Sequence, residues 1–173
     1  MLKLYAEIFA ALEQAQLHYC VWKGIKHSTE VLSGTRDEDL DVLVAENELA
    51  AVSALFKKLG LVSMPSVYFS HPYIDHYFGL DAASGKVIHL HIYQRLITGE
   101  SHTKNYHFPL EAELLASRKK HKNGAYYVSG QWASTLFEIR RQIKNRWYSP
   151  ERLLYKAEAT EYLAEQEAIQ QLV

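Results

Sequence analysis

The chain has 173 residues, 48% of them hydrophobic and 23% charged, with a formal net charge of −1 at pH 7. That composition suits one domain with a real core and excludes a disordered tail as its main character, while the near-neutral charge argues against bulk attraction to nucleic acid. No apolar run approaches the roughly 20 residues that cross a bilayer, so no membrane contact is expected.

Tyr5, Ile8, Phe9 and Leu12 recur at helical spacing and predict an amphipathic helix over 2–16. A strand over 19–22 follows and carries Cys20, the single cysteine. One thiol cannot form an internal disulfide, and the first seven residues lack the pattern of a signal peptide. A reducing, cytoplasmic setting is therefore the expectation. After Lys23-Gly24 and a polar loop, Asp39-Leu40-Asp41 opens a second apolar run, Val42-Leu43-Val44. Leu49, Val52, Phe56 and Leu59 predict a helix from about residue 46, stopped by Gly60. Strands are expected over 62–69, 76–80 and 86–93, the last two joined by a turn of four or five residues that includes Asp81. Beyond them come a short helix over 110–117, a strand at 126–128, a helix over 133–147 and a second helix starting at Pro150. The expected division is an α/β core over 1–115 and a mainly helical lobe over 116–173, with a soft boundary.

Alternate side chains of a strand share a face, so Asp39 and Asp41 are expected to point the same way. Two adjacent carboxylates stay ionised together most readily around a divalent cation that also meets a third anionic group, such as the phosphates of a nucleoside triphosphate. Gly24 lacks a Cβ and would let a phosphate approach the backbone, and a helix starting after it would aim N–H groups at the anion. The plainer alternative makes Asp37, Glu38, Asp39 and Asp41 a solvated turn leading into an edge strand. His89-Leu90-His91 likewise puts two imidazoles on one strand face, suited to one metal ion or to a phosphate, unless each ring only satisfies a buried hydrogen bond. The stretch over 118–156 is basic, with Arg140, Arg141 and Lys144 among its cations, and Glu158, Glu161, Glu165 and Glu167 make the end acidic.

The order of a strand, the Lys23-Gly24 turn, a helix and a strand bearing Asp39-Leu40-Asp41 resembles the nucleotidyltransferase superfamily, with its polymerase-β-like fold, over the first half of the chain. The run from His89 through Gly99-Glu100 to Lys104-Asn105-Tyr106 and Pro109-Leu110-Glu111 is similar to nucleotidyltransferase-like domains of bacterial polysaccharide gene neighbourhoods, some of them fused to kinase-like domains. The resemblance implies an α/β (α+β) fold, a mixed sheet flanked by helices with a C-terminal helical lobe. It further implies transfer of a nucleoside monophosphate from a nucleoside triphosphate to a hydroxyl or phosphate acceptor, with Mg²⁺ or Mn²⁺ on Asp39 and Asp41. Lys23, Gly24, Lys104 and Arg140 are then candidates for the phosphates or an anionic acceptor, and His91 or His89 for the group that takes the acceptor's proton.

Two departures stand out. Ile25 follows the turn glycine where many members have Ser or Gly, so Lys23, Lys26, Ser28 or Ser33-Gly34 would have to supply the phosphate grip. The strand expected to bear a third carboxylate carries His89 and His91, with Asp75 expected before the preceding strand and Asp81 in the turn. Three other functions stay open: a catalytically silent member binding a nucleotide, a sugar phosphate or a protein partner; an antitoxin-like chain with a toxin partner; and a hydrolase ligating Mn²⁺, Fe²⁺ or Zn²⁺ through Asp39, Asp41, His89 and His91.

Overall fold

Leu4, Tyr5, Ile8, Phe9 and Leu12 are all buried along helix α1 (Lys3–Gln14), the stripe that their spacing predicts. The computed structural model describes residues 1–65, 71–99, 104–144, 167, 168 and 170, except for the Lys144 side chain. The expected helix after Pro150, the continuation of a strand to residue 69, Glu100 and the charged residues at 146–165 lie outside the described residues.

Strand β1 (Tyr19–Val21) leads through Gly24 into helix α2 (Ile25–Ser33), and β2 (Leu40–Val44) follows. A 3₁₀ turn (Glu46–Glu48) and helix α3 (Leu49–Lys58) occupy the next predicted helix. Strand β3 (Val62–Ser63), the hairpin β4 (Ile74–Asp81) and β5 (Lys86–Tyr93), and a two-stranded ribbon β6 (Ile97–Thr98) and β7 (Tyr106–His107) come after it. Helix α4 (Glu111–Ser117), strands β8 (Lys119–Lys120) and β9 (Tyr126–Tyr127) and helix α5 (Gly130–Lys144) complete the order.

Among the described residues, seven strands form one mixed sheet in the order β3-β4-β5-β2-β1-β9-β8. The β2–β5 and β1–β9 pairs are parallel and the other neighbours antiparallel. The mixed α/β architecture is thus the one expected, and the sheet continues through β9 past residue 115. Two expectations for the acids near the hairpin change. Asp75 lies inside β4, opposite Ile92, and Asp81 closes β4 rather than sitting in the turn. Asp81 is buried, and its carboxylate accepts the Leu4 N–H at 2.7 Å and both the Ser84 N–H and hydroxyl at 2.9 Å. It ties α1 to the hairpin.

One sheet face meets α1 and α3. Phe56 stands edge-on to Tyr77 at 5.0 Å, and a Cβ added at Gly79 would come within 2.7 Å of Leu4 Cδ2, so α1 packs directly on β4. Ile88, Leu90 and Ile92 alternate with His89, His91 and Tyr93 along β5 and are fully covered. Each such side chain contributes about 1.5–3 kcal/mol by leaving water. Cys20 is also fully buried; burial outweighs the pull of Arg118 and pushes its thiol up to about 12. The opposite face of β5 carries the histidines.

Candidate functional site

Strand β2 lies fourth of seven, between β5 and β1, with all five of its residues buried. The strand that Asp41 enters is therefore an interior one and not an edge, with Asp39 immediately before it, while Asp37 and Glu38 are exposed. The parallel register sets Asp41 opposite His91, and the antiparallel register of the hairpin sets His76 opposite His91 and Phe78 opposite His89. Period-two alternation then puts Asp41, His76, Phe78, His89 and His91 on one face of three adjacent strands, with Asp39 just ahead of β2.

The carboxylates converge on one point. His91 Nδ1 lies 2.6 Å from Asp39 Oδ2 and 3.3 Å from Asp41 Oδ1. Lys23 Nζ reaches Asp41 Oδ1 at 2.9 Å and lies 4.8 Å from the centre of the Tyr93 ring. Tyr93 stands edge-on to Trp22 at 5.1 Å. Arg140, from α5, sits with its guanidinium 5.5 Å from the Trp22 ring centre. Sequence order alone does not join these groups; the sheet does.

Burial alone would push the Asp39 carboxyl up, but the His91 hydrogen bond, the charge of His91 and that of Lys23 hold it well below the ordinary carboxylate range. His91 answers in kind: burial opposes its protonation, yet its bonds to Asp39 and Asp41 raise it above an ordinary histidine. Its neighbours go the other way. Burial, followed by repulsion from His91, lowers His76 and brings His89 to about 4. The carboxylates thus favour a proton on His91, while burial and His91 disfavour one on His76 and His89.

Gly24 starts α2 in the left-handed region, with φ 66°, and a Cβ there would meet nothing within 4 Å. Its demand for glycine is conformational, and the space beside the backbone stays open to a ligand. The Trp22 N–H donates to the Asp41 carbonyl at 3.3 Å, which keeps this turn beside the carboxylates. The hydroxyls considered as substitutes for the phosphate grip are already engaged. Ser28 donates to the Ile25 carbonyl at 2.7 Å and accepts the Tyr127 hydroxyl at 3.2 Å, and Ser33 donates to the Glu30 carbonyl. Gly34 caps the end of α2, and its carbonyl accepts a hydrogen bond from Lys86.

Part of the basic stretch is also paired within the chain. Lys120 binds Glu13 and Arg141 binds Glu138, whereas Arg140 faces the site through Trp22. Lys104 stands before β7 with φ 43°. A groove of about 310 Å³ opens not over the carboxylates but beside Asp37 and Glu38, lined by Tyr5, Arg36 and Lys86 among others.

His76, Tyr93 and Trp22 join the site without having been picked out from the sequence. Counting back from the four-residue turn at 82–85 pairs 76 with 91, so the hairpin held the signal for His76. Tyr93 and Trp22 read as ordinary apolar strand residues.

Asp39, Asp41 and His91 each bring one donor atom within 4.8 Å of the others, a group that could hold a metal ion. No family model and no curated protein matches the chain. Among solved structures it is similar to a Thermotoga maritima protein described as a putative nucleotidyltransferase, with 13% identity and a TM-score of 0.47 over 95% of this chain and 92% of that one. Among the described residues, no helix is long and apolar enough to cross a membrane.

Proposed function

We propose that this chain is a metal-dependent nucleotidyltransferase, moving a nucleoside monophosphate from a nucleoside triphosphate to a hydroxyl or phosphate acceptor. The observation that carries the assignment is the convergence of Asp39 and Asp41 on His91 beside the open Gly24 turn, with Lys23 paired to Asp41. Mg²⁺ or Mn²⁺ held by the two carboxylates would offset charge building on the phosphates.

The remaining roles belong to side chains. The α2 N-terminus at Gly24 receives the phosphates. An acceptor oxygen attacks the α-phosphorus in line, a new P–O bond forms, and the bond to pyrophosphate breaks. His91 is held by both carboxylates, whereas His89 contacts His76 and Phe78, so His89 is the better placed of the two to take the acceptor's proton. Lys23, Arg140 and Lys104 are the cations assigned to the departing pyrophosphate or an anionic acceptor.

A second function, nucleotide or partner binding without turnover, is favoured by one observation: His91 occupies the point between the carboxylates. Calorimetry of ATP, GTP, CTP and UTP with Mg²⁺ or Mn²⁺ tests the first step. Binding should require the metal and vanish in Asp41→Asn while that variant keeps its far-UV spectrum. Unchanged binding in the variant removes the carboxylates from the site, and binding without pyrophosphate release across an acceptor screen selects the silent function.

A further inference from the structure

His76, His89 and His91 stand on two adjacent strands of the hairpin, and one nitrogen from each lies within 4.8 Å of the others. His76 Nδ1 and His89 Nε2 are 3.2 Å apart. Two imidazole nitrogens bound to one tetrahedral ion at Zn–N distances of about 2.0–2.1 Å stand roughly 3.3 Å apart, so this pair is already at ligand spacing. The third ring is edge-on to both, at 4.4 Å between centroids in each case. Its Nδ1 is committed to Asp39 at 2.6 Å, which leaves Nε2 with the lone pair. A histidine oriented by a carboxylate on its far nitrogen is the usual arrangement behind a metal-bound imidazole. Phe78 fixes the second ring by stacking on His89 at 4.1 Å, with 13° between the planes.

From this geometry we infer that His76, His89 and His91 form a binding site for one borderline transition-metal ion, of the Zn²⁺ class, with Asp39 as the residue that positions His91. Three nitrogen donors suit Zn²⁺, Fe²⁺ or Ni²⁺ and disfavour Mg²⁺, which demands oxygen. The site shares His91 with the carboxylate pair but takes its other two ligands from His76 and His89, and it needs no nucleotide. Three protein ligands also leave a fourth position for water or an acceptor oxygen. The competing explanation of the 3.2 Å contact is a plain N–H···N hydrogen bond between two neutral rings.

The test is calorimetric titration of the metal-stripped full chain with Zn²⁺ alone, in the presence of excess Mg²⁺ and without nucleotide. One equivalent should bind, about 100-fold more weakly or not at all in His76→Ala, and about 10–100-fold more weakly in Asp39→Asn. Failure of the folded wild-type chain to bind, or unchanged affinity in His76→Ala, overturns the inference in favour of the hydrogen bond or of the carboxylates. Should His76→Ala not fold, Co²⁺ loading of the wild type decides. Intense visible bands of a tetrahedral nitrogen site support the site, and the weak bands of an octahedral oxygen site overturn it. The nucleotide titration fails or succeeds independently of both.

Discussion

Replacing Lys23 by Met probes the carboxylate pair from its cationic side. The Lys23 ammonium lies 2.9 Å from Asp41 Oδ1, with the two side chains only 16% and 10% exposed. A hydrogen bond to a charged group contributes about 1.5–3 kcal/mol, and a cation over an aromatic ring adds about 0.5–1 kcal/mol. Against these, the variant no longer desolvates an ammonium, and Asp41 keeps His91 at 3.3 Å. The net loss should be about 1–2 kcal/mol, which for a chain of this size lowers Tm by about 2–8 °C. Melting followed by far-UV circular dichroism, with Lys23→Arg as the charge-keeping control, measures it. The same change should act in opposite senses on ligands. Lys23 and a divalent cation compete for one oxygen, so Mn²⁺ alone should bind more tightly to Lys23→Met, whereas the metal–nucleotide complex loses a phosphate contact and should bind more weakly. A Met variant that melts with the wild type, or that binds Mn²⁺ no more tightly, refutes the reasoning.

Asp81 should make the fold acid-sensitive. Its bond from the Leu4 N–H, against the opposing effect of burial, and those from Ser84 hold the folded carboxyl below its unfolded value. That contribution is complete above the unfolded pKa and is lost as pH falls through the folded one. Melts between pH 6 and pH 3 should show Asp81→Asn less stable at pH 6 and less sensitive to acid; an acid slope identical to wild type contradicts this. Gly79→Ala drives a Cβ to 2.7 Å from Leu4 Cδ2 and 3.2 Å from Leu61 Cγ and should cost about 1–3 kcal/mol. A urea midpoint that falls with an unchanged m-value is the expected result, and an unchanged midpoint counts against direct packing of α1 on β4.

Local periodicity carried much of the fold. The helical spacing of Tyr5, Ile8, Phe9 and Leu12, the position of Gly24 after an apolar strand, and the alternation through Asp39-Leu40-Asp41 and His89-Leu90-His91 all correspond to the elements observed. What periodicity cannot supply is the partner of each strand. The parallel pairing of β2 with β5 joins residues 50 apart, and only that pairing brings His91 onto both carboxylates. Ser28 shows the same limit from another side. Its position after the turn makes its hydroxyl a candidate for phosphate, but Tyr127, 99 residues away, donates to it. The short strands β6, β7 and β8 span two residues each, too few for alternation to register.

Cys20 gives the molecule an experimental convenience. The chain has one cysteine, fully buried in β1, and its thiol is pushed up to about 12, so almost none of it is thiolate at neutral pH. Maleimide and iodoacetamide reagents should pass it by while the fold is intact. A second cysteine introduced at exposed Leu80 or Val87, which face each other across the hairpin, would then take a fluorophore or spin label selectively, with the native thiol left in place. A label there rides on the same two strands as His76, His89 and His91, at the end nearer the turn. It can report on metal or nucleotide arriving at the site without altering a residue of it.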